Sequence, residues 1–199
     1  MAGAPAWESD RRAAAVWAQG LLAAPAGRVV VLDTETTSLD GYLVELAVTD
    51  LQGRVLLGTQ LNPGTPIDAK ATSMHRLAAA QLGAMPRFGE VAGTLARILR
   101  DRTVVIYNAA FDMQILRNEI RRLDPSADEV REALNTARWE CAMQQYAAFC
   151  GEWNDYHGNY RWQRLPGGDH TALGDCRATI AILAQMAAEA AERSPDEAS

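Results

Sequence analysis

Cysteine is scarce in this 199-residue chain: Cys141, Cys150 and Cys176 form an odd set with no Cys-x-x-Cys pair. That excludes a disulfide framework or a thiolate metal site as the organising device and fits a reducing compartment. No apolar run approaches the roughly 18 residues that cross a bilayer. The opening MAGAPAWESDRR carries two acids and places its charges after its apolar residues, unlike a secretory signal. A cytoplasmic location with no membrane partner is the expectation. Lysine is nearly missing as well, with Lys70 alone against 18 arginines. Arginine suits bidentate contact with phosphate, although a GC-rich genome produces the same skew. The net charge of −6 disfavours tight non-specific binding to long duplexes. Half of that charge lies in the tail from Glu189 onward, so the balance neither demands nor forbids a nucleic-acid substrate.

What is present reads as one domain with enough apolar residues, 48%, for a sizeable core. Residues 1–27 read as an N-terminal helical extension with its helix at 8–24, broken by Pro25, Ala26 and Gly27. The domain proper is expected at 28–192, and a disordered tail at 193–199. Strand-like runs at 28–33, 42–50 and 53–61 are joined by the turn signals Asp40-Gly41 and Gln52-Gly53, predicting an antiparallel meander. Helical periodicity follows at 76–82 and 87–100, then a strand at 103–107, helices at 110–122 and 126–136, and a short strand near 137–140. A helix at 141–149, an aromatic loop or flap at 151–168 and a helix from about 170 to 192 complete the chain. The sum is a mixed α/β sheet with helices on both faces.

Three stretches carry chemistry. The strand Val29–Leu32 runs into Asp33-Thr34-Glu35-Thr36-Thr37, and side chains two apart on a strand share a face. Two neighbouring carboxylates are unfavourable unless a positive charge sits between them, although a strand-end acid and a turn threonine are ordinary on their own. The second stretch, VIYNAAFD, sets Asp112 in the first turn of a helix, where the macrodipole alone would welcome it. The third, HTALGD, separates His170 and Asp175 by about 140° of an ideal helix. A histidine just before the helix and an aspartate one turn inside it can nevertheless reach the same cleft.

Together LDTETT, YNAAFD and HTALGD resemble the three motifs of the DEDDh 3′–5′ exonucleases. This is the DnaQ-like family that includes the proofreading subunit of bacterial DNA polymerase III and RNase T. The likeness spans about residues 28–190, and histidine opens the third motif. It implies an α/β, ribonuclease H-like fold: a mixed five-stranded sheet flanked by helices. It further implies two Mg²⁺ or Mn²⁺ ions held by Asp33, Glu35, Asp112 and Asp175, with His170 as general base. Oxygen ligands suit those hard cations better than zinc. The implied reaction is release of nucleoside 5′-monophosphates from the 3′ end of single-stranded or frayed DNA, with RNA as the alternative substrate. A non-catalytic polymerase-associated module and a small-molecule phosphohydrolase are the competing readings.

By the same resemblance Thr36, Thr37 and Leu39 seat the terminal nucleotide, with His75 beside the base and Asn108 along the scissile strand. Surface placement for His75 and helix capping for Asn108 are the ordinary alternatives. Ser38 stands where most relatives have glycine, and the stretch before the third motif is shorter than theirs. Within that stretch Trp153 and Trp162 are expected to pack the flap onto the domain, although its aromatics and arginines could stack single-stranded bases. His157 is an alternative base. A polymerase or a second copy of the chain is the expected protein partner, since no polymerase or helicase domain is present.

Overall fold

Strand β1 (Val29–Thr36) is the axis of the molecule, because it is buried on both faces nearly throughout. The computed structural model describes residues 7–123 and 128–192. β1 pairs antiparallel with β2 (Leu43–Asp50), which pairs antiparallel with β3 (Val55–Gln60), so the expected meander forms. Asp50 closes its second turn by accepting the amide N–H groups of Gln52 and Arg54. On its other side β1 runs parallel to β4 (Thr103–Ile106), and β4 parallel to β5 (Arg138–Cys141). The sheet order is β3-β2-β1-β4-β5, the mixed five-stranded sheet that the sequence predicted.

Alternation along β1 sorts the helices onto two faces. Val30 and Leu32 meet α4 (Phe88–Leu99), α5 (Ala109–Arg122) and α6 (Asp128–Thr136) through residues such as Leu95, Leu116 and Val130. Val29 and Val31 meet α1 (Trp7–Leu22), α7 (Ala142–Cys150) and α8 (Ala172–Glu192) through residues such as Ala18, Tyr146 and Leu183. The N-terminal helix therefore shares a core with α8, and Arg11 of α1 ties the two by bonding both carboxylate oxygens of Glu189. Among the described residues no helix is long and apolar enough to cross a membrane.

Two local expectations differ from the structure. In place of one helix at 76–82 there are two short ones, α2 (Ala69–His75) and α3 (Ala79–Leu82), with Arg76 left-handed at φ 62° between them. Burial of His75, at 5% exposed, fixes the end of α2 where local periodicity gave no signal. The flap at 151–168 is partly regular, since β6 (Trp153–Asn154) and β7 (Asn159–Tyr160) form a small antiparallel ribbon. The predicted tail at 193–199 lies outside the described residues.

Candidate active site

Asp33 and Glu35 continue the face of β1 that carries Val29 and Val31, so both carboxylates turn towards α8. Thr34 turns to the opposite face, where its hydroxyl donates to Asp112 Oδ1 at 2.6 Å. Asp112 sits in the first turn of α5, which starts just beyond the end of β4. Because β1 and β4 are parallel neighbours whose chains leave in opposite directions across the sheet, their carboxyl ends open a crevice. A register shift between β1 and β2 follows Glu35, which re-aims the chain as it enters the Thr36–Tyr42 loop.

The third motif closes the crevice from the other side. His170 is left-handed, φ 61°, immediately before α8. That conformation costs a non-glycine residue about 1–2 kcal/mol, and a knot of hydrogen bonds holds it. Asp169 Oδ1 accepts the backbone N–H of Thr171 at 3.0 Å and its hydroxyl at 2.8 Å. Thr171 Oγ1 in turn accepts the N–H of Gly174 at 3.0 Å. Glycine at 174 leaves room for this knot, because a Cβ there would stand 2.0 Å from Asp169 Oδ1 and displace it. Asp175 Oδ1 accepts the N–H groups of Asp169 and His170 at 2.9 and 3.2 Å, leaving Oδ2 without a partner among the described residues.

Glu45 completes the clamp. It lies opposite Glu35 in the β1–β2 register and accepts the N–H of Ala172, the first residue of α8, at 2.7 Å. A fifth carboxylate thus caps the helix that carries Asp175.

Between these elements lies a cleft of about 580 Å³, within the range of small-ligand sites. Asp33, Glu35, Asp112, His170 and Asp175 all face it, as do Thr36, Leu39, His75 and Asn108. Thr37 does not. It is 3% exposed and its hydroxyl accepts the N–H of Tyr42 at 2.9 Å, closing the loop behind the cleft. Asn108 makes no capping bond from its side chain, which leaves its amide for the cleft. His75 is buried, not on the surface. Its Nδ1 accepts the Leu77 N–H at 3.0 Å, so Nε2 carries the proton and donates to the Thr36 carbonyl at 3.2 Å. Burial also lowers its pKa, which keeps the ring neutral near pH 7.

Sequence reasoning missed Glu45, Lys70, Met74, Tyr107 and Phe111, the last four of which also line the cleft. The signal for Glu45 was present, since one acid interrupts an otherwise apolar strand in LVELAV. His157 is elsewhere, on the turn of the β6–β7 ribbon, and lines a separate groove. Of the two flap tryptophans, Trp153 packs edge-on against Tyr160, whereas Trp162 is 68% exposed. The expected packing therefore holds for one and fails for the other: the strap beyond β7 carries Trp162 away from the core.

Burial, and then the charges of Asp112, Asp175 and Glu35, raise the Asp33 pKa well above the usual carboxylate range. Burial followed by Asp175 and Glu45 pushes Glu35 up to about 8. Asp112 is raised too, mainly by burial, although the Thr34 hydroxyl opposes this. Such a cluster must either take up protons or gather positive charge. Donor atoms of Glu35, His170 and Asp175 lie within 4.8 Å of one another, able to hold one ion. The donor set, dominated by carboxylate oxygen, fits a hard divalent cation.

The chain matches the family described as Exonuclease, of the RNase T type, over residues 30–183, and it belongs to that family. It is thus an enzyme, a DnaQ-like exonuclease. An uncharacterized exonuclease, CP81, of Escherichia phage 186 is 32% identical over 171 residues, covering 79% of this chain and 87% of its own length. The DNA polymerase III epsilon subunit of Rickettsia prowazekii is 31% identical over 117 residues, covering 55% of this chain and 51% of that subunit. The chain thus spans about half the length of that relative. Among solved structures, Exonuclease X in complex with 5′ overhanging duplex DNA shares 24% identity at a TM-score of 0.57, covering 82% of this chain and 93% of that one. E. coli Exonuclease I in complex with a dA16 oligonucleotide shares 17% at 0.60, covering 81% and 42%. Both likenesses show a common fold.

The raised carboxylates set a pH dependence. Folded Glu35 keeps its proton to about pH 8, whereas in the unfolded chain it ionises near 4.5. In that window the folded state binds more protons, so stability falls as pH rises. Thermal melts in EDTA are therefore expected to show a lower Tm at about pH 8 than at about pH 5. Added Mg²⁺ or Mn²⁺ is expected to raise Tm more at the upper pH. A Tm indifferent to cations at both values contradicts the assignment of a metal centre to these carboxylates.

Proposed function

We propose that the enzyme removes nucleoside 5′-monophosphates from the 3′ end of single-stranded or frayed DNA, using two Mg²⁺ or Mn²⁺ ions. What carries the reading is the convergence of Asp33, Glu35, Asp112, Asp175 and His170 in one cleft at the carboxyl ends of β1 and β4. The four carboxylates would hold the cations. Bound there, the cations supply Lewis-acid polarisation of the phosphodiester and acidify the attacking water. His170 has no ring hydrogen bond among the described residues, so a ring nitrogen is open to take the water's proton. The water oxygen forms a bond to phosphorus as the bond from phosphorus to the 3′ oxygen breaks, and that oxygen leaves protonated by solvent.

Leu39, at 77% exposed, and Met74, at 44%, line the cleft and would offer apolar contact to the terminal base. Asn108 and Phe111 line the same cleft and would face the strand. Exonuclease X and Exonuclease I are both seen with DNA, which favours DNA over RNA for this chain. Partnership with a DNA polymerase follows the epsilon-subunit relatives.

The test pairs 5′-labelled DNA and RNA oligonucleotides, single- and double-stranded, with Mg²⁺, Mn²⁺ or EDTA. A metal-dependent ladder shortening from the 3′ end, fastest on single-stranded DNA, is the expected result. Asp33→Ala is expected to abolish it, and His170→Ala to lower kcat by about 100-fold or more. Wild-type activity in Asp33→Ala sinks the assignment, and faster loss of RNA transfers the reading to an exoribonuclease.

Asp169 enters the same scheme as a positioning residue. Removing its carboxylate in Asp169→Ala frees Thr171 and relaxes the left-handed turn at His170. The expected effect is a drop in kcat of about tenfold with KM little changed. Asp169→Asn, which keeps Oδ1 as an acceptor, should recover most of that loss. Equal losses in both variants would assign the effect to charge and not to the turn.

A further inference from the structure

The segment between α7 and α8 is anchored at two points that the catalytic reading leaves unused. In the ribbon, Tyr160 donates its hydroxyl to Asp10 Oδ2 of α1 at 2.8 Å, and its ring meets Trp153 at 5.2 Å between centroids. Further on, the Tyr107 hydroxyl donates to the Gln163 carbonyl at 2.7 Å, and Leu165 lines the cleft. Tyr107 lines that cleft too, so the strap 161–165 runs along its rim. Between these anchors Trp162 projects into solvent at 68% exposure, and Arg161 and Arg164 are exposed. Neither guanidinium has a hydrogen bond or ion pair among the described residues. A groove of about 540 Å³, lined by His157, Tyr160, Arg161 and Trp162, opens beside them.

We propose that this strap is a second nucleic-acid contact, at which Trp162 stacks on an unpaired base and Arg161 and Arg164 hold the neighbouring phosphates. The inference rests on the exonuclease reading for its direction. With the terminal nucleotide against Leu39 and Met74, Phe111 and Leu165, which line the same cleft, offer the rest of the strand a way out to the strap. Trp162 lies three positions before Leu165, at most about 10 Å of chain, so the platform would meet the strand a few nucleotides from the scissile bond. The charge pattern agrees: Glu152 and Asp155 precede β7, whereas both arginines follow it on the side that runs to the cleft. An exposed ring flanked by cations, without a broad apolar patch, matches a stacking platform for a single strand better than a protein-docking surface. Fixing the strap at both ends lowers the ordering cost of binding.

The test is fluorescence anisotropy with a 5′-labelled oligothymidylate of about 20 nucleotides and the full-length protein in EDTA, so that binding is read without turnover. Trp162→Ala is expected to raise Kd about tenfold, whereas Trp162→Phe stays within about twofold, since any aromatic face can stack. The Arg161→Ala/Arg164→Ala double variant is expected to flatten the slope of log affinity against log salt by about 1.4, the value for two lost single-strand phosphate contacts. Unchanged Kd and salt slope overturn the proposal, and so does a Trp162→Phe protein as weak as Trp162→Ala. Turnover is measured separately with Mg²⁺. Tight binding through Trp162 without nucleotide release would support the platform while removing the exonuclease reading.

Discussion

Like charges held together out of water are the constraint on which this structure turns. When ionised, Asp33, Glu35 and Asp112 repel one another and lose hydration beside Asp175, and burial is the larger of the two penalties at Asp33 and Glu35. A fold that keeps them together must spend apolar packing elsewhere. It does so with a strand buried on both faces, β1, and two clusters of helices pressed onto it. The instability is local: a cluster of this kind must take up protons or gather positive charge, and such perturbed carboxylates are the usual signature of a functional site.

Each carboxylate is delivered by a regular element and not by a free loop. Asp33 and Glu35 ride on β1, Asp112 on the first turn of α5, and Asp175 on the first turn of α8. Cross-bonds then lock the elements to one another. Thr34 joins β1 to α5, while Glu45 joins β2 to α8. Because Thr34 and Glu35 are adjacent on one strand, they face opposite helical layers, and a slip of one residue would exchange them. The register of β1 against β2 and β4 is therefore as much a part of the site as the acids themselves.

Much of this was legible because it is local. Four apolar residues ending in Asp-Thr-Glu announce a buried strand with two acids on one face, and the first turns of α5 and α8 announce themselves by their acids and their periodicity. What was hidden depends on pairing across long stretches of chain. Glu45 meets the N–H of Ala172, 127 residues away, and nothing near Glu45 in sequence encodes that partner. His75 has the same history, since its bond to Thr36 decides its burial and its tautomer. The Thr37 side chain and Trp162 point in directions that nothing local announced, for the complementary reason. A threonine beside a motif can close a turn instead of facing a ligand, and an aromatic in a polar segment gives no sign of which way it points until the strap is fixed.

The two walls of the cleft differ in how they are held, which bears on what each can do. The α8 wall is knotted by side chains and capped by Glu45, so His170 and Asp175 have little freedom. The α2 wall hangs on two bonds to the chain after Glu35, from Asp68 N–H to the Thr37 carbonyl and from His75 to the Thr36 carbonyl. This seven-residue helix presents Met74 and Lys70 to the cleft. On the proposed reading, the groups assigned to the chemistry sit on the densely bonded wall, and those assigned to the terminal base sit on the sparsely bonded one. An enzyme that removes successive nucleotides gains from that division, because the phosphate must be held the same way whichever base is present.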